Sequence, residues 1–404
     1  MISWPAYSKR DNYIDSDFQG TDTSYTTGRL TRGNYKHDTF RPTRPFKLPR
    51  AEADEYMLQP DKLPADLKTA ADWAFDNDDR RSQAMILIDH GHIVYERNTE
   101  EKDAEFNSWT MSKSITSLLI GEALCKGDIK SLDDPAGKYA PEIKTSTYGK
   151  ATLRQLLTMK SGAPPPDNSL SSAWFGSAED DFFEVTHGIK SRTTLINQFN
   201  IDPGKDNQFG DDHLNADALG LVLDGLKGTN FYMTEFLNNA GVEHESHWLE
   251  DKDGHINTSY GYGAQLEDWA HIAQYSLDIL KGRTNNDCMR QYMLEAIKPT
   301  TQPKDIDPKH IYNFFGYGFG MWTHPHITNG YAWLGMYGQK VFVDPKHDLI
   351  LIVFRNRNSF KFANNLGNFW QQWRQAHEPK RIPGQDQDTE IKGSVRVIPA
   401  PNVK

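Results

Sequence analysis

Asn-Ser-Trp-Thr-Met-Ser-Lys-Ser-Ile-Thr-Ser-Leu-Leu-Ile, residues 107–120, places a hydroxyl residue and a lysine at the start of an apolar helix. Its apolar residues recur at helical spacing, and Gly127 is placed to end the helix. Thr110 and Lys113 are three residues apart, so they share one face of that helix. Thr110 falls in the first turn, where free backbone N–H groups and the helix dipole favour a developing oxyanion. The stretch therefore predicts a hydroxyl and a lysine that can work as one unit.

The composition argues against nucleic acid and membrane surfaces as partners. The chain of 404 residues has a formal net charge of -10, and no Lys/Arg block stands out against that acidic background. No run approaches the ~18 apolar residues that a spanning helix needs. The N-terminus lacks the basic and apolar regions of a signal peptide, which predicts a cytoplasmic protein, or a periplasmic one if a signal has been removed. Whether the chain forms a homodimer stays open.

The domain organisation follows from changes in composition along the chain. Residues 1–60 are rich in Asp, Thr, Arg, Gly and Pro and carry little periodicity, which predicts an extended N-terminal arm. Residues 61–378 are predicted to form one large domain, with a largely helical lobe over about 115–300 inside it. Residues 379–404 are predicted to form a polar C-terminal tail.

Strand patterns at both ends of the domain and helix patterns between them predict the fold class. We expect an α/β fold of the α+β type, in which one antiparallel sheet is built from both chain ends and flanked by helices. The predicted elements are a helix over 64–75, a hairpin of strands 84–89 and 93–97, the Thr110 helix, helices over 153–159, 216–226 and 266–280, strands 317–322, 340–344 and 349–354, and a closing helix over 362–373.

The sequence predicts neither a metal nor a cofactor. Among 14 histidines, His244-Glu245-Ser246-His247 lacks the two-residue gap of the zinc protease motif. The glycine clusters do not follow a strand and open a helix, as a dinucleotide loop must. Cys125 and Cys288 are the only two cysteines and lie far apart, which favours two buried thiols over a bridge.

Several motifs occur in an order that resembles the serine β-lactamase-like, or penicillin-binding-protein-like, hydrolases. The similarity is greatest to the branch of 6-aminohexanoate-dimer (nylon oligomer) hydrolases and related esterases, and it covers about residues 80–375. It implies that fold and a hydrolase for a small amide or ester, although a fold does not fix a function. The motifs are the hairpin, Ser-Trp-Thr-Met-Ser-Lys-Ser at 108–114, Leu-Leu-Thr-Met-Lys-Ser-Gly at 156–162, Pro203-Gly204 before Phe209, Leu219-Gly220, and Gly-Met-Tyr-Gly-Gln at 335–339 before a strand ending Asp344-Pro345.

The resemblance places three catalytic positions on this chain. In the family a Ser-x-x-Lys helix supplies the nucleophile and its base, because a serine hydroxyl is a weak nucleophile until a neighbouring base takes its proton. The lysine corresponds to Lys113, and the nucleophile corresponds to Thr110 and not to Ser112. The family's tyrosine, which shares the proton transfer, corresponds to Asp211. Two of the three positions therefore carry a different side chain.

Each of the three residues has a second interpretation. Thr110 keeps the oxygen of a serine, but a threonine in a first helical turn often only caps backbone donors. Burial of Lys113 would lower its pKa towards use as a base, whereas a pair with Asp211 or Asp212 would hold it protonated. In that case Asp211 itself is a candidate base, with Lys113 as the charge that positions it.

The candidate substrate-binding residues are Asn215, Trp333, Tyr337 and Asp212. Asn215 either orients a substrate amide or Lys113, or it caps a helix that starts at Ala216. By rough alignment, Trp333 or Leu334 offers the second backbone N–H for an oxyanion. Tyr260, Tyr262 and Tyr337 follow or precede glycines and are candidates for the missing phenol, although such aromatics more often pack over turns.

Two hypotheses follow. The first is a cofactor-free hydrolase or acyl transferase that forms an acyl-enzyme on a T-x-x-K variant of the S-x-x-K motif. The second is a catalytically degenerate relative that binds a small ligand or a partner without turnover. A third possibility is that Thr110 was introduced to trap a substrate.

Overall fold

The structure is a computed structural model that describes residues 41–42, 59–60, 63–78, 82–163, 190–201, 208–306, 315–324, 330–335, 338–355 and 365–378. The predicted C-terminal tail and most of the predicted N-terminal arm lie outside these ranges, so both stay predictions. Tyr337 lies outside them as well.

The strands within these ranges form two sheets. The main sheet has the order β2-β4-β3-β12-β11-β10-β9-β8, and the small sheet has the order β1-β6-β7-β5. The strands are β1 (Arg41–Pro42), β2 (Gln59–Pro60), β3 (Ser82–Asp89), β4 (His92–Asn98), β5 (Glu105–Asn107), β6 (His247–Glu250), β7 (Tyr262–Gln265), β8 (Gly316–Tyr317), β9 (Trp322–Thr323), β10 (Tyr331–Leu334), β11 (Lys340–Asp344) and β12 (Leu349–Arg355).

Along the chain, most of the helices lie between the N-terminal and the C-terminal strands of the main sheet. The α-helices of the described residues are α1 (Ala65–Asp76), α2 (Ser112–Cys125), α3 (Thr147–Lys150), α4 (Leu153–Leu157), α5 (Arg192–Ile196), α6 (His213–Leu226), α7 (Thr229–Ala240), α8 (Leu266–Lys281), α9 (Asp287–Ala296) and α10 (Asn365–Ala376). Where the chain is described, no helix is long and apolar enough to cross a membrane.

The main sheet joins the two ends of the domain, as predicted. β3 and β4 form the predicted hairpin, and β12 pairs with β3 in antiparallel register, with Leu351 opposite Leu87. Most side chains of β3 and all those of β12 are buried, because helices cover both faces of the sheet. One pair departs from the prediction, since β2 runs parallel to β4. The fold is the mixed α+β architecture that the sequence predicts, with the helical lobe inserted.

The predicted strand 317–322 is wrong. The chain instead makes a short hairpin, in which β8 ends at Tyr317 and β9 begins at Trp322. Gly320 in the turn has φ +64°, and a Cβ there would lie 2.7 Å from the Lys113 carbonyl oxygen. Because only glycine fits such a conformation and such a close approach, the turn packs directly on helix α2. The Ser114 hydroxyl donates to the Gly320 carbonyl at 2.6 Å.

Helix α2 is the buried centre of the molecule. Nearly every side chain from Ser112 to Ala123 is buried, including polar ones, and the helix packs against α6, α7 and α9. Its end agrees with the prediction, since the helix stops at Cys125 and Gly127 follows with φ +73°. A helix that is enclosed on all sides holds the side chains of its first turn in fixed positions.

The prediction of two buried thiols is wrong, because Cys125 and Cys288 form a disulfide. The bridge joins the end of α2 to the start of α9, with Cα atoms 5.6 Å apart across a sequence separation of 163 residues. Cys125 is only partly buried and Cys288 is exposed. Cys125 is therefore not a buried core thiol. That Cys125 and Cys288 lie close together in the fold could not be predicted from the local sequence.

We expect one part of the pH dependence of stability to come from His255. Its Nδ1 lies 3.0 Å from an Asp224 carboxylate oxygen on α6, and that hydrogen bond raises the pKa of His255 above its ordinary value. A raised folded-state pKa adds stability that is full below about pH 6.5 and is lost as pH rises through the folded value. Urea denaturation at pH 6 and pH 8.5 should show a smaller pH difference for His255→Gln than for the unmodified protein. Asp224→Asn should reduce it equally, and an undiminished difference in both variants would refute this origin.

Candidate active site

Thr110 lies in a strained turn between β5 and α2. A 3₁₀ helix over Trp109–Met111 leads into α2, and Trp109 has φ +45°. A non-glycine residue in this region costs ~1–3 kcal/mol and persists only where its surroundings hold it. Here the Asn107 side-chain oxygen accepts the Trp109 N–H at 2.8 Å, and the Ser108 and Ser112 hydroxyls share a hydrogen bond of 2.7 Å. The strain is local to the residue that precedes the candidate nucleophile.

The Thr110 hydroxyl meets the backbone of β10. Its Oγ1 donates to the Leu334 carbonyl at 3.1 Å. The Gly335 N–H bonds to the Gln339 carbonyl on the β11 side, so the N–H and C=O of Leu334 face the opposite way. The Leu334 N–H therefore points to the side on which Thr110 lies. Between the two predicted oxyanion donors, this geometry favours Leu334 over Trp333, whose side chain is wholly buried beside Tyr331.

Lys113 and Asp211 form an ion pair. The Lys113 ammonium donates to an Asp211 carboxylate oxygen at 2.6 Å, and the two side chains are only 6% and 18% exposed. An ammonium has three donors and no lone pair, so it cannot accept a proton. No hydrogen bond joins Thr110 to Lys113 in the part of the chain that the structure describes. The structure therefore contains the Lys113–Asp211 pair, which the sequence analysis gave as the alternative to Lys113 acting as a base.

Asp212 is the N-cap of helix α6, so the interpretation of Asn215 as the helix cap is wrong. The Asp212 side chain accepts the Leu214 N–H at 3.0 Å and is the N-cap, whereas Asn215 lies inside the first turn. The Tyr148 hydroxyl also donates to the Asp212 carboxyl. Burial raises the pKa of Asp212, although that hydrogen bond opposes the rise. Asp212 therefore holds α3 and α6 together, and its role in binding a substrate stays a prediction.

Asn215 is almost wholly buried, and its amide nitrogen lies 3.4 Å from the Asp212 carbonyl oxygen. Its side-chain oxygen has no partner within the described ranges. An acceptor left without a donor costs free energy, so it is suited to receive an N–H group or a water molecule.

His213 is a residue of this site that the sequence analysis missed. It lies two residues after Asp211, and its ring meets the Tyr260 ring edge-on at 6.0 Å. Desolvation, together with the Lys113 charge, lowers the pKa of His213 to about 3. The imidazole is therefore neutral at neutral pH and offers one donor and one acceptor. The signal in the sequence was its place directly after the two aspartates.

Tyr262 and Tyr260, two of the candidates for the missing phenol, lie in different surroundings. Tyr262 packs among the core aromatics Trp248 and Trp269, with ring centroids 5.3 and 5.5 Å away. Tyr260 lies beneath His213, with the Arg192 guanidinium 5.5 Å from its ring. Among the described residues, no group of three or more His, Cys, Asp or Glu side chains is arranged to hold a metal ion.

A family model described as Beta-lactamase matches residues 70–369. The chain belongs to the beta-lactamase family. This confirms the resemblance found in the sequence motifs, and the match includes Thr110, Lys113 and Asp211. One curated family member, the beta-lactamase of Escherichia coli (strain K12), is 38% identical over 71 residues. That alignment covers 17% of this chain and 19% of the E. coli protein.

Solved structures of the family share the fold. A Bacillus anthracis protein provisionally assigned as a 6-aminohexanoate-dimer hydrolase superposes with a TM-score of 0.63 at 19% identity, covering 84% of this chain and 90% of that one. A penicillin-binding protein from Bacillus halodurans gives 0.54 at 16% identity, covering 78% and 99%. EstCE1, a hydrolase with promiscuous acyltransferase activity, gives 0.54 at 12% identity, covering 76% and 98%. At these identities the likeness shows the fold and leaves the chemistry to the residues of the site.

Proposed function

We propose that this protein is a hydrolase or acyl transferase that acts on a small amide or ester through an acyl-enzyme on Thr110. The observation that carries the proposal is the position of the Thr110 hydroxyl, 3.1 Å from the Leu334 backbone and one helical turn before the Lys113–Asp211 pair. The strained Trp109 backbone supports it, because such strain is concentrated at functional sites.

Asp211 is the proton acceptor in this proposal. In this proposal Lys113 is an ammonium that donates to Asp211, and an ammonium has no lone pair with which to take a proton. A carboxylate has two oxygens and about four acceptor positions, and Lys113 donates to one of the Asp211 oxygens. Lys113 then serves to orient Asp211 and to balance its charge in a largely dry site.

The reaction runs in two halves. The Thr110 proton passes to Asp211 while Oγ1 attacks the substrate carbonyl carbon, and the N–H groups of Thr110 and Leu334 bind the oxyanion. The carbon–nitrogen or carbon–oxygen bond then breaks, and the leaving group takes the proton from Asp211. Water or another acceptor attacks the acyl-Thr110, gives its proton to Asp211, and Thr110 recovers its proton as the product leaves.

A second candidate function is ligand binding without turnover. Two contacts favour it: the Thr110 hydroxyl donates to Leu334 and not to a base, and Asp211 is already paired with Lys113. Resting-state contacts of this kind also occur in active enzymes, since catalytic hydrogen bonds often form only with substrate. Thermal stabilisation by small amides or esters with no product formed would favour binding over catalysis.

Asp211→Asn tests the assignment of the base. We expect kcat on an activated ester to fall about 10²–10⁴-fold, because an amide cannot take the Thr110 proton. Lys113→Met should retain more activity than Asp211→Asn, since it removes only the charge that positions the base. If Lys113 were the base, the order of the two variants would be reversed. Asp66→Asn and Lys144→Met, which change exposed side chains of the same types, are the matched controls.

A further inference from the structure

Tyr317 carries a buried hydroxyl that has no hydrogen-bond partner among the described residues. The side chain is 1% exposed, and its Oη is shielded from solvent. A buried hydroxyl without a partner costs ~1–3 kcal/mol, and a phenylalanine of the same shape would avoid that cost. An unpaired group of this kind needs an explanation, and a role in catalysis is one of the few that fit.

The hairpin that carries Tyr317 touches both sides of the ion pair. Tyr317 packs its ring 5.1 Å from that of Phe209, which lies two residues before Asp211. At the other end of the hairpin, Gly320 lies against the Lys113 carbonyl and accepts the Ser114 hydroxyl. The hairpin therefore lies between the segment that carries Asp211 and the helix turn that carries Lys113.

The charge that acts on the phenol is that of Asp211. Burial, together with this carboxylate, raises the pKa of Tyr317 well above its ordinary value. The group is thus an O–H donor throughout the working pH range. Trp322 closes the other side of the ring, with centroids 4.7 Å apart. The phenol is therefore a donor whose electrostatic partner is Asp211, the carboxylate that must stay ionised in the proposed reaction.

We propose that Tyr317 is a positioning residue whose phenol donates a hydrogen bond to the Asp211 carboxylate when substrate fills the cleft, keeping Asp211 ionised and in place. The proposal rests on the proposed function, in which Asp211 is the base. The phenol exchanges no proton with the substrate, and its bond is formed only in the occupied site, as many catalytic hydrogen bonds are.

Tyr317→Phe tests the proposal through the pH profile of kcat/KM. Removing a donor to a carboxylate raises the pKa of that carboxylate, so the acidic limb should move up by about one pH unit. At higher pH, where Asp211 is ionised in both proteins, the loss of kcat/KM should be smaller than on the acidic limb. Thermal stability should be unchanged or higher, because an unpaired buried hydroxyl is gone. The groups that face Asp211 and stay in place are Lys113 from α2, Asp212 and His213 from α6, and Tyr148 from α3 through Asp212.

A second measurement does not depend on turnover. The ¹³C carboxyl signal of Asp211, assigned with Asp211→Asn, should titrate at higher pH in Tyr317→Phe than in the unmodified protein when both are held with a non-hydrolysable ester analogue. An unmoved acidic limb with an unmoved titration overturns the proposal, and so does a lower thermal midpoint, which would make the hydroxyl a structural partner.

Tyr232→Phe is the matched control. Its side chain is likewise buried, but its hydroxyl donates to an Asp128 carboxylate oxygen at 2.8 Å, beyond the far end of α2 from Thr110. That variant should lose stability and keep the pH profile. If Thr110→Ala were fully active, the proposed function would fail. An unmoved limb in Tyr317→Phe beside an inactive Thr110→Ala would remove only the role of Tyr317.

Discussion

Thr110→Ala should abolish turnover, with kcat on an activated ester falling at least about 10³-fold. The alanine keeps the backbone N–H that serves the oxyanion but has no oxygen to carry the acyl group. The variant should fold, because the lost hydrogen bond to Leu334 contributes only ~0.5–1.5 kcal/mol. Mass spectrometry after incubation with a fluorophosphonate should show an adduct on Thr110 of the unmodified protein and none on the variant.

Two matched variants sharpen this test. Thr145→Ala removes an exposed threonine hydroxyl and should keep both the activity and the adduct. Thr110→Ser removes only the γ-methyl group, which restricts χ1 and crowds the tetrahedral intermediate, so its rate should equal or exceed that of the unmodified protein. Full activity of Thr110→Ala would refute the assignment of the nucleophile and leave ligand binding as the better hypothesis.

The sequence predicted the elements whose signals are local. The end of β3, the turn before β12 and the end of α2 before Gly127 depend on strand patterns and a helix stop that lie within a few residues. Their agreement with the structure reflects local preference and tertiary packing acting in the same direction. That both chain ends contribute to one antiparallel sheet was predicted, whereas the pairing of β3 with β12 is known only from the structure.

The errors arose where a contact distant in sequence decided the outcome. The pattern 317–322 reads as a strand, but Gly320 must turn to let the chain pack on Lys113. Asp212 and Asn215 are both good N-cap residues, and only the helix geometry shows that Asp212 takes that place. Local signals cannot choose between two such residues.

In the candidate site, too, the local features were predictable and the contacts distant in sequence were not. Thr110 and Lys113 are three residues apart, so their proximity was predictable, and Asp211 was placed with them by family resemblance. The donation of the Thr110 hydroxyl to Leu334 links residues 224 positions apart in sequence and could not be predicted from spacing. Tyr317 was not singled out from the sequence, because nothing in its sequence neighbourhood marks a hydroxyl without a partner.

Loss of the Cys125–Cys288 bridge should lower the free energy of unfolding by ~2–4 kcal/mol, because a cross-link over 163 residues removes much of the freedom of the unfolded chain. For a domain of this size that corresponds to a fall in thermal midpoint of roughly 3–6 °C. The Cys125→Ala/Cys288→Ser double variant should show it in thermal and urea unfolding. Dithiothreitol should lower the stability of the unmodified protein and leave the double variant unchanged; equal stability of reduced and oxidised protein would contradict the prediction.

Activity should survive this loss of stability, because the bridge lies at the far end of α2 from Thr110. The helix of 14 residues separates them by about 20 Å. The Tyr292 hydroxyl of α9 donates to the Ser117 carbonyl of α2 at 2.7 Å, and this hydrogen bond would still join the two helices without the bridge. The double variant should therefore retain kcat within about twofold at 25 °C while unfolding at lower temperature. A parallel loss of activity at 25 °C would show instead that the bridge sets the position of the catalytic turn through the rigid, enclosed helix.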